Sequence, residues 1–130
     1  MYIIIGASSF IGVYTVDEFL KQGCKVTVTG RNNKFREHYD RLGVPYINLD
    51  LTNKADFSKL PTENVEGVIL LAGLLPANVT VNLDEDENAA DYFEANTIGT
   101  INVLEYCRKN GIKRVISGIS ITITGKFSRL

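Results

Sequence analysis

Seven residues near the start of the chain, Gly6-Ala7-Ser8-Ser9-Phe10-Ile11-Gly12, have the types and spacing to hold an anion. They follow a short apolar run, Tyr2 to Ile5, and open a repeat of Phe10, Ile11, Tyr14, Phe19 and Leu20 at near-helical spacing. A tight strand-to-helix turn needs glycine at its start. The first amides of the helix are then left without intrahelical acceptors, and the helix dipole adds positive potential beside them. A glycine at the end of the run lets the helix pack against the strand. On this reading Gly6, Ser8, Ser9, Phe10, Ile11 and Gly12 cradle a pyrophosphate. The plain alternative is an ordinary glycine-rich turn, and what favours the cradle is its place between a strand and a helix.

Other chemistry-bearing residues are scattered. Cys24 and Cys107 lie far apart without metal-type spacing, so both read as reduced thiols behaving as small hydrophobes, and no metal site is expected. His38 lies in a polar segment with no carboxylate arrangement suggesting a triad, and reads as a solvated surface residue.

With 130 residues the chain is long enough for one domain with a real core. Hydrophobic residues make up 45% and charged residues 22%, and the net charge is −1. That balance argues against a sequence-independent nucleic-acid binder, which needs a basic face. Met1 to Gly6 has no basic flank and no segment is long enough to span a bilayer, so a cytoplasmic protein with no membrane partner is expected.

The elements that would position the glycine turn alternate. Strands are expected at Tyr2–Ile5, Lys25–Thr29, Pro45–Asn48, Gly67–Ala72 and Lys113–Ser117. A helix bearing the Phe10–Leu20 repeat ends at Gly23. A second, over Lys34–Leu42, carries a stripe of Phe35, Tyr39 and Leu42, and a weak helical turn lies at Asp56–Leu60. The longest helix runs from about Asn88 to Asn110, with apolar positions at Tyr92, Phe93, Ile98, Ile101, Val103, Leu104 and Cys107. Asp84 to Glu87 at its start and Arg108, Lys109 and Gly111 at its end suit the dipole and a glycine cap. Strand–helix alternation with right-handed crossovers gives an α/β fold: a doubly wound parallel sheet, Rossmann-like, in the order 3-2-1-4-5. A ligand would lie across the carboxyl ends of strands one and four, where that order reverses.

The glycine turn resembles the Gly-x-x-Gly-x-x-Gly turn of short-chain dehydrogenase/reductases, in the extended form found in the NAD-dependent epimerase/dehydratase family. Ser9 stands where the middle glycine belongs. Binding is expected to be retained but weakened or adjusted, with the Ser9 hydroxyl within reach of a phosphate oxygen. The resemblance implies a nicotinamide dinucleotide cofactor. In NAD-preferring members an acidic residue ends the second strand and accepts from the ribose 2′-hydroxyl. Here that position is Gly30, followed by Arg31 and Asn32. Losing the carboxylate removes repulsion against a 2′-phosphate, and a guanidinium can pair with one. NADP is therefore expected over NAD; the alternative is that Gly30-Arg31-Asn32 is merely an exposed turn. Asp50-Leu51-Thr52 is similar to the family's motif beside the adenine, although Asp50 could equally cap the next turn. Leu71, Ala72 and Gly73 resemble the small-residue end of strand four, against which a ribose lies.

The most specific match is Asn96-Thr97-Ile98-Gly99-Thr100-Ile101-Asn102-Val103-Leu104-Glu105, close to the extended family's Asn-x-x-Gly-Thr-x-Asn-x-x-Glu. It implies that Asn96 ties the long helix to the neighbouring strand near the active site. Ser120 falls where the catalytic Ser or Thr belongs, although Gly118, Ile119 and Thr124 depart from the surrounding pattern. The family's Tyr-x-x-x-Lys pair is absent, since no Tyr in the chain has a Lys four residues later. Residues 1–125 are thus expected to form a nucleotide-binding Rossmann domain, 126–130 a tail unlike the family, and the substrate domain to be missing. The resemblance implies part of an epimerase, dehydratase or reductase acting on a nucleotide sugar, inactive as this chain alone. The competing reading is a non-catalytic NADP sensor or regulatory module. Self-association as a homodimer is expected, through the long helix or the edge formed by Ser117 to Thr124.

Overall fold

The computed structural model of the chain describes residues 1–31, 33–74 and 89–118. Its elements are β1 (Tyr2–Ile5), α1 (Phe10–Lys21), β2 (Val26–Gly30), α2 (Arg36–Arg41), β3 (Tyr46–Asn48), β4 (Gly67–Leu70), α3 (Ala89–Phe93), α4 (Gly99–Lys109) and β5 (Val115–Ser117). The five strands form one parallel sheet in the order β3-β2-β1-β4-β5, as the alternation implied.

β1 lies at the centre, which is why it reads as an unbroken apolar run: both of its faces are covered. Ile3 and Ile5 point into one core with Leu51, Phe57, Val68, Val103 and Tyr106. Ile4 points into the other with Val16, Val28, Tyr39 and Tyr46. β2 is buried at all five positions, so its alternating sequence marks a two-sided interior rather than one wet face.

The Phe10–Leu20 repeat forms α1 as expected, although Phe10, Ile11 and Tyr14 are 79%, 64% and 63% exposed and α1 packs through Gly12 and Val16, with Phe19 and Leu20 against the same core. The small residues Gly12 and Val16 let the helix approach the strands closely. Two other helical expectations are corrected. Lys34–Leu42 is a 3₁₀ turn, Asn33–Phe35, leading into the short α2, with Tyr39 buried and Leu42 exposed. The long helix is interrupted: a π turn over Glu94–Ile98 separates α3 from α4. The extra residue in that turn shifts the phase of the apolar positions. α4 therefore buries Gly99, Asn102, Val103, Tyr106 and Cys107, leaving Phe93, Ile101 and Leu104 largely exposed. α4 ends in paired bonds from Ile112 N to Cys107 O and Gly111 N to Arg108 O, with Gly111 at φ 66°. That is the glycine stop expected there.

The predicted weak turn at Asp56–Leu60 is a 3₁₀ helix, Lys54–Lys59. The acidic cluster Asp84 to Glu87, the Ser120–Thr124 segment and the tail 126–130 lie outside the described residues. Among the described residues no helix is long and apolar enough to cross a membrane, and both cysteines are free, Cys107 buried and Cys24 partly so.

Candidate functional site

The glycine turn is built by β1 and α1 together. Gly6 sits at φ +91°, a conformation that side-chain-bearing residues rarely adopt, and a Cβ there would lie 2.5 Å from Ala72 N. Glycine is thus required twice over, by backbone and by space. A Cβ on Gly12 would overlap the Gly6 carbonyl and come within 2.7 Å of Ala7 Cα, so this glycine is what lets α1 sit on the turn. The turn is pinned to β2 by bonds from Gly6 N and Ala7 N to Thr29 O, at 3.2 and 3.0 Å. From below, the buried Tyr39 hydroxyl donates to Ala7 O at 2.7 Å. Burial, with smaller contributions from the charge of Asp17 and from Tyr46, pushes the Tyr39 phenol up to about 12. It therefore stays a donor across the physiological range.

Ser9 is the N-cap of α1. Its hydroxyl donates to Gly6 O at 2.8 Å and accepts from Gly12 N at 3.0 Å. The hydroxyl expected to reach a phosphate oxygen is instead spent within the turn. The amides of Phe10 and Ile11 stand ahead of the first intrahelical bond, and the first turn of α1 carries no acidic residue. No carboxylate within that turn offsets the positive potential of the helix end.

In front of the turn lies a cleft of about 410 Å³ across the carboxyl ends of β1, β2 and β4, within the size range of small-molecule sites. Of the expected residues, Gly6, Ser8, Ser9, Arg31, Asp50, Leu51, Leu71, Ala72 and Gly73 line it. Phe10 and Ile11 do not; their side chains project outward, so only their backbone can serve a ligand here. Gly12 lies beneath the turn. Asn32 and Ser120 are outside the described residues. The lining also includes Ile5, Thr29, Leu49, Thr52 and Leu74, and, on the helical side, Asp91, Glu94 and Ala95. Nothing in the sequence marks those three helical residues as part of a cleft.

Asp50 does not cap the following turn. Asn53 does, accepting from Ala55 N at 3.1 Å. Asp50 Oδ1 accepts from both Thr52 N and Thr52 Oγ1, at 2.9 and 2.8 Å, which folds the Asp-Leu-Thr loop over the end of β3. Arg31 is exposed at the cleft rim, and its carbonyl accepts from Asn48 Nδ2 at 3.2 Å.

The Asn96–Glu105 pattern has a geometric reason. Asn96 lies in the π turn and bonds both ways with the backbone of Leu74: Leu74 N donates to its Oδ1 at 2.7 Å, and its Nδ2 donates to Leu74 O at 2.8 Å. A Cβ on Gly99 would lie 2.8 Å from Leu51 Cβ. Buried Asn102 donates to Leu51 O at 2.8 Å. One stripe of the helix thus clamps the loop after β4 and the loop after β3, the two walls of the cleft. Tyr39 and Asn102 are site-supporting residues that the sequence did not announce as such. For Asn102 the signal was there, since a buried helix interior disfavours Asn without a tertiary partner.

Strand order, glycine turn and a cleft at the point where the order reverses define the Rossmann-like doubly wound class. Within that class the chain belongs to the NAD dependent epimerase/dehydratase family, whose model matches residues 2–129. The UDP-glucose 4-epimerase of Pisum sativum is 29% identical over 136 residues, covering 95% of this chain and 37% of the relative. The bifunctional UDP-glucose 4-epimerase and UDP-xylose 4-epimerase 3 of Arabidopsis thaliana is 32% identical over the same length and coverage. Among solved structures, the UDP-glucose 4-epimerase of Thermus thermophilus in complex with NAD superposes with a TM-score of 0.70 at 26% identity, over 88% of this chain and 36% of that one. The chain therefore spans little more than a third of the length of these three proteins.

Proposed function

We propose that this chain binds a nicotinamide dinucleotide in the cleft, as the nucleotide-binding portion of an epimerase, dehydratase or reductase acting on a nucleotide sugar. The observation that carries the reading is the small-residue floor at the switch point. Gly6, Ala72 and Gly73 line the cleft at the carboxyl ends of β1 and β4, and a Cβ at Gly6 would collide with Ala72 there. A pyrophosphate fits beside the Phe10 and Ile11 amides, an adenosine between Arg31 and the Asp50–Thr52 loop, and a ribose against Ala72 and Gly73. The named relatives and the NAD complex of a 26% identical structure support the reading.

Exposed Arg31 with glycine before it favours the 2′-phosphorylated cofactor, NADP, over NAD. When bound, the nicotinamide supplies hydride transfer. This chain's residues hold and orient it: the turn amides neutralise the diphosphate, and Asn96 fixes the Leu74 backbone at the cleft's far wall. Ser120 would meet the substrate oxygen in the role the resemblance gives it. Residues 1–125 serve that reaction as the dinucleotide-binding domain. Free thiols suit a cytoplasmic location, and exposed Ile101 and Leu104 on α4 suit a homodimer.

The test is the fluorescence of NADPH on adding the chain and its Gly6→Val variant. Enhancement by the parent and none by folded Gly6→Val is the expected result. Equal enhancement by both would remove the cradle from the account.

A further inference from the structure

Gly30 ends β2 at the cleft wall, and the reason it is glycine is space. A Cβ on Gly30 would overlap the Tyr46 hydroxyl oxygen, and would stand 3.1 Å from Tyr46 Cζ and 3.0 Å from Ser8 Oγ. A side chain at position 30 and a phenol at position 46 therefore exclude each other. Tyr46 is not free to yield. It is 5% exposed, and its ring stacks on that of Tyr39 at 5.8 Å and 17°. The Arg36 guanidinium lies 5.4 Å from its ring centroid and donates to Tyr46 O at 3.3 Å. The partner ring, Tyr39, is fully buried and holds the glycine turn through Ala7 O. Moving the Tyr46 phenol would disturb Tyr39 and, through it, the cradle.

Gly30 lines the cleft next to Arg31, at the end of the strand where a carboxylate would accept from a ribose 2′-hydroxyl. We propose that Tyr46 is a specificity-determining residue: by filling the volume that a side chain at position 30 needs, it keeps a carboxylate away from the ribose and leaves the 2′ side to Arg31 and a phosphate. This rests on the dinucleotide reading above and deepens it. The preference is then set by a pair of positions on neighbouring strands, β2 and β3, and a single change at Gly30 cannot reverse it. Forcing a side chain in without making room overpacks a filled site.

The experiment is calorimetric titration of the full chain with NADP and with NAD, alongside thermal melts, for the parent, Gly30→Asp, Tyr46→Val and the double variant. Gly30→Asp alone should melt lower than the parent and gain no affinity for NAD. The double variant should bind NAD more tightly than NADP, by about tenfold, the worth of one charge-assisted hydrogen bond. Its melting temperature should lie closer to that of Tyr46→Val than the separate losses would predict. The milder pair Gly30→Ala and Tyr46→Phe, read by melts alone, gives the same coupling should the aspartate variants fail to fold. Gly30→Asp alone switching to NAD with unchanged melting overturns the proposal, and so does a folded double variant that keeps the NADP preference. A folded parent that binds neither cofactor overturns the dinucleotide reading itself, and the parent's own titration separates that case from the others.

Discussion

At the residue scale, Ser9 shows how one side chain changes a familiar turn without dismantling it. Its hydroxyl bridges Gly6 O and Gly12 N, so it works as a helix cap inside the cradle. Ser9→Ala should destabilise the chain by about 1 kcal/mol, the usual worth of such a cap. Ser9→Gly should cost only a few tenths, because water replaces the lost bond more easily there. Urea denaturation of the two variants measures the difference. Arg31 is proposed to serve the ligand rather than the fold, since its side chain is exposed and only its carbonyl is bonded within the described residues. Arg31→Leu should therefore leave stability unchanged and weaken NADP by about tenfold or more, with NAD affinity unaffected. Equal loss for both cofactors, by calorimetry, would show that the guanidinium does not read the 2′ position.

At the element scale, the helix carrying Asn96, Gly99 and Asn102 is the clamp that holds both walls of the cleft. Replacing Asn102 with Leu leaves the Leu51 carbonyl without its buried donor, and should cost about 1–3 kcal/mol. The check is chemical denaturation, with NADP binding expected to weaken in parallel because the Asp50–Thr52 loop is released. How far the sequence disclosed these elements follows from what each signal reports. The glycine turn, the strand order and the central β1 were legible because steric need at Gly6 and two-sided burial leave unambiguous residue types. Phe10, Ile11 and Tyr14 disclosed the helix but not their own exposure, because helical spacing reports an apolar stripe and not what covers it. The π turn was not legible, since its cause is tertiary: Asn96 reaching Leu74 across the cleft. Tyr39 reads only as part of an apolar stripe and Tyr46 only as part of a short strand; the packing of α2 under the turn shows the first phenol holding Ala7 O, and that of β3 against β2 shows the second filling the space above Gly30.

At the scale of the whole molecule, two buried phenols give the fold an alkaline limit. Tyr39 and Tyr106 are both pushed from the ordinary 10 up to about 12, chiefly by burial. Their hydroxyls donate to Ala7 O and Pro61 O. Below pH 10 both remain protonated whether the chain is folded or not, and stability does not depend on them. Above 10 the unfolded chain releases these protons while the folded chain keeps them, so stability falls as pH rises from 10 to about 12. Denaturation midpoints across that window should show the fall, with a shallower slope in Tyr39→Phe. Association is the other property of the whole. Ile101 and Leu104, 53% and 48% exposed and three residues apart on one face of α4, are the surface proposed for a second copy. Light scattering at high concentration should report a dimer for the parent and a monomer for Leu104→Glu. The central claim, a dinucleotide cradle that prefers a 2′-phosphate, is tested most directly by titrating the folded chain with NADP and NAD in a calorimeter. The account predicts one NADP per chain, bound more tightly than NAD. No heat from either, with folding shown by circular dichroism, would contradict it.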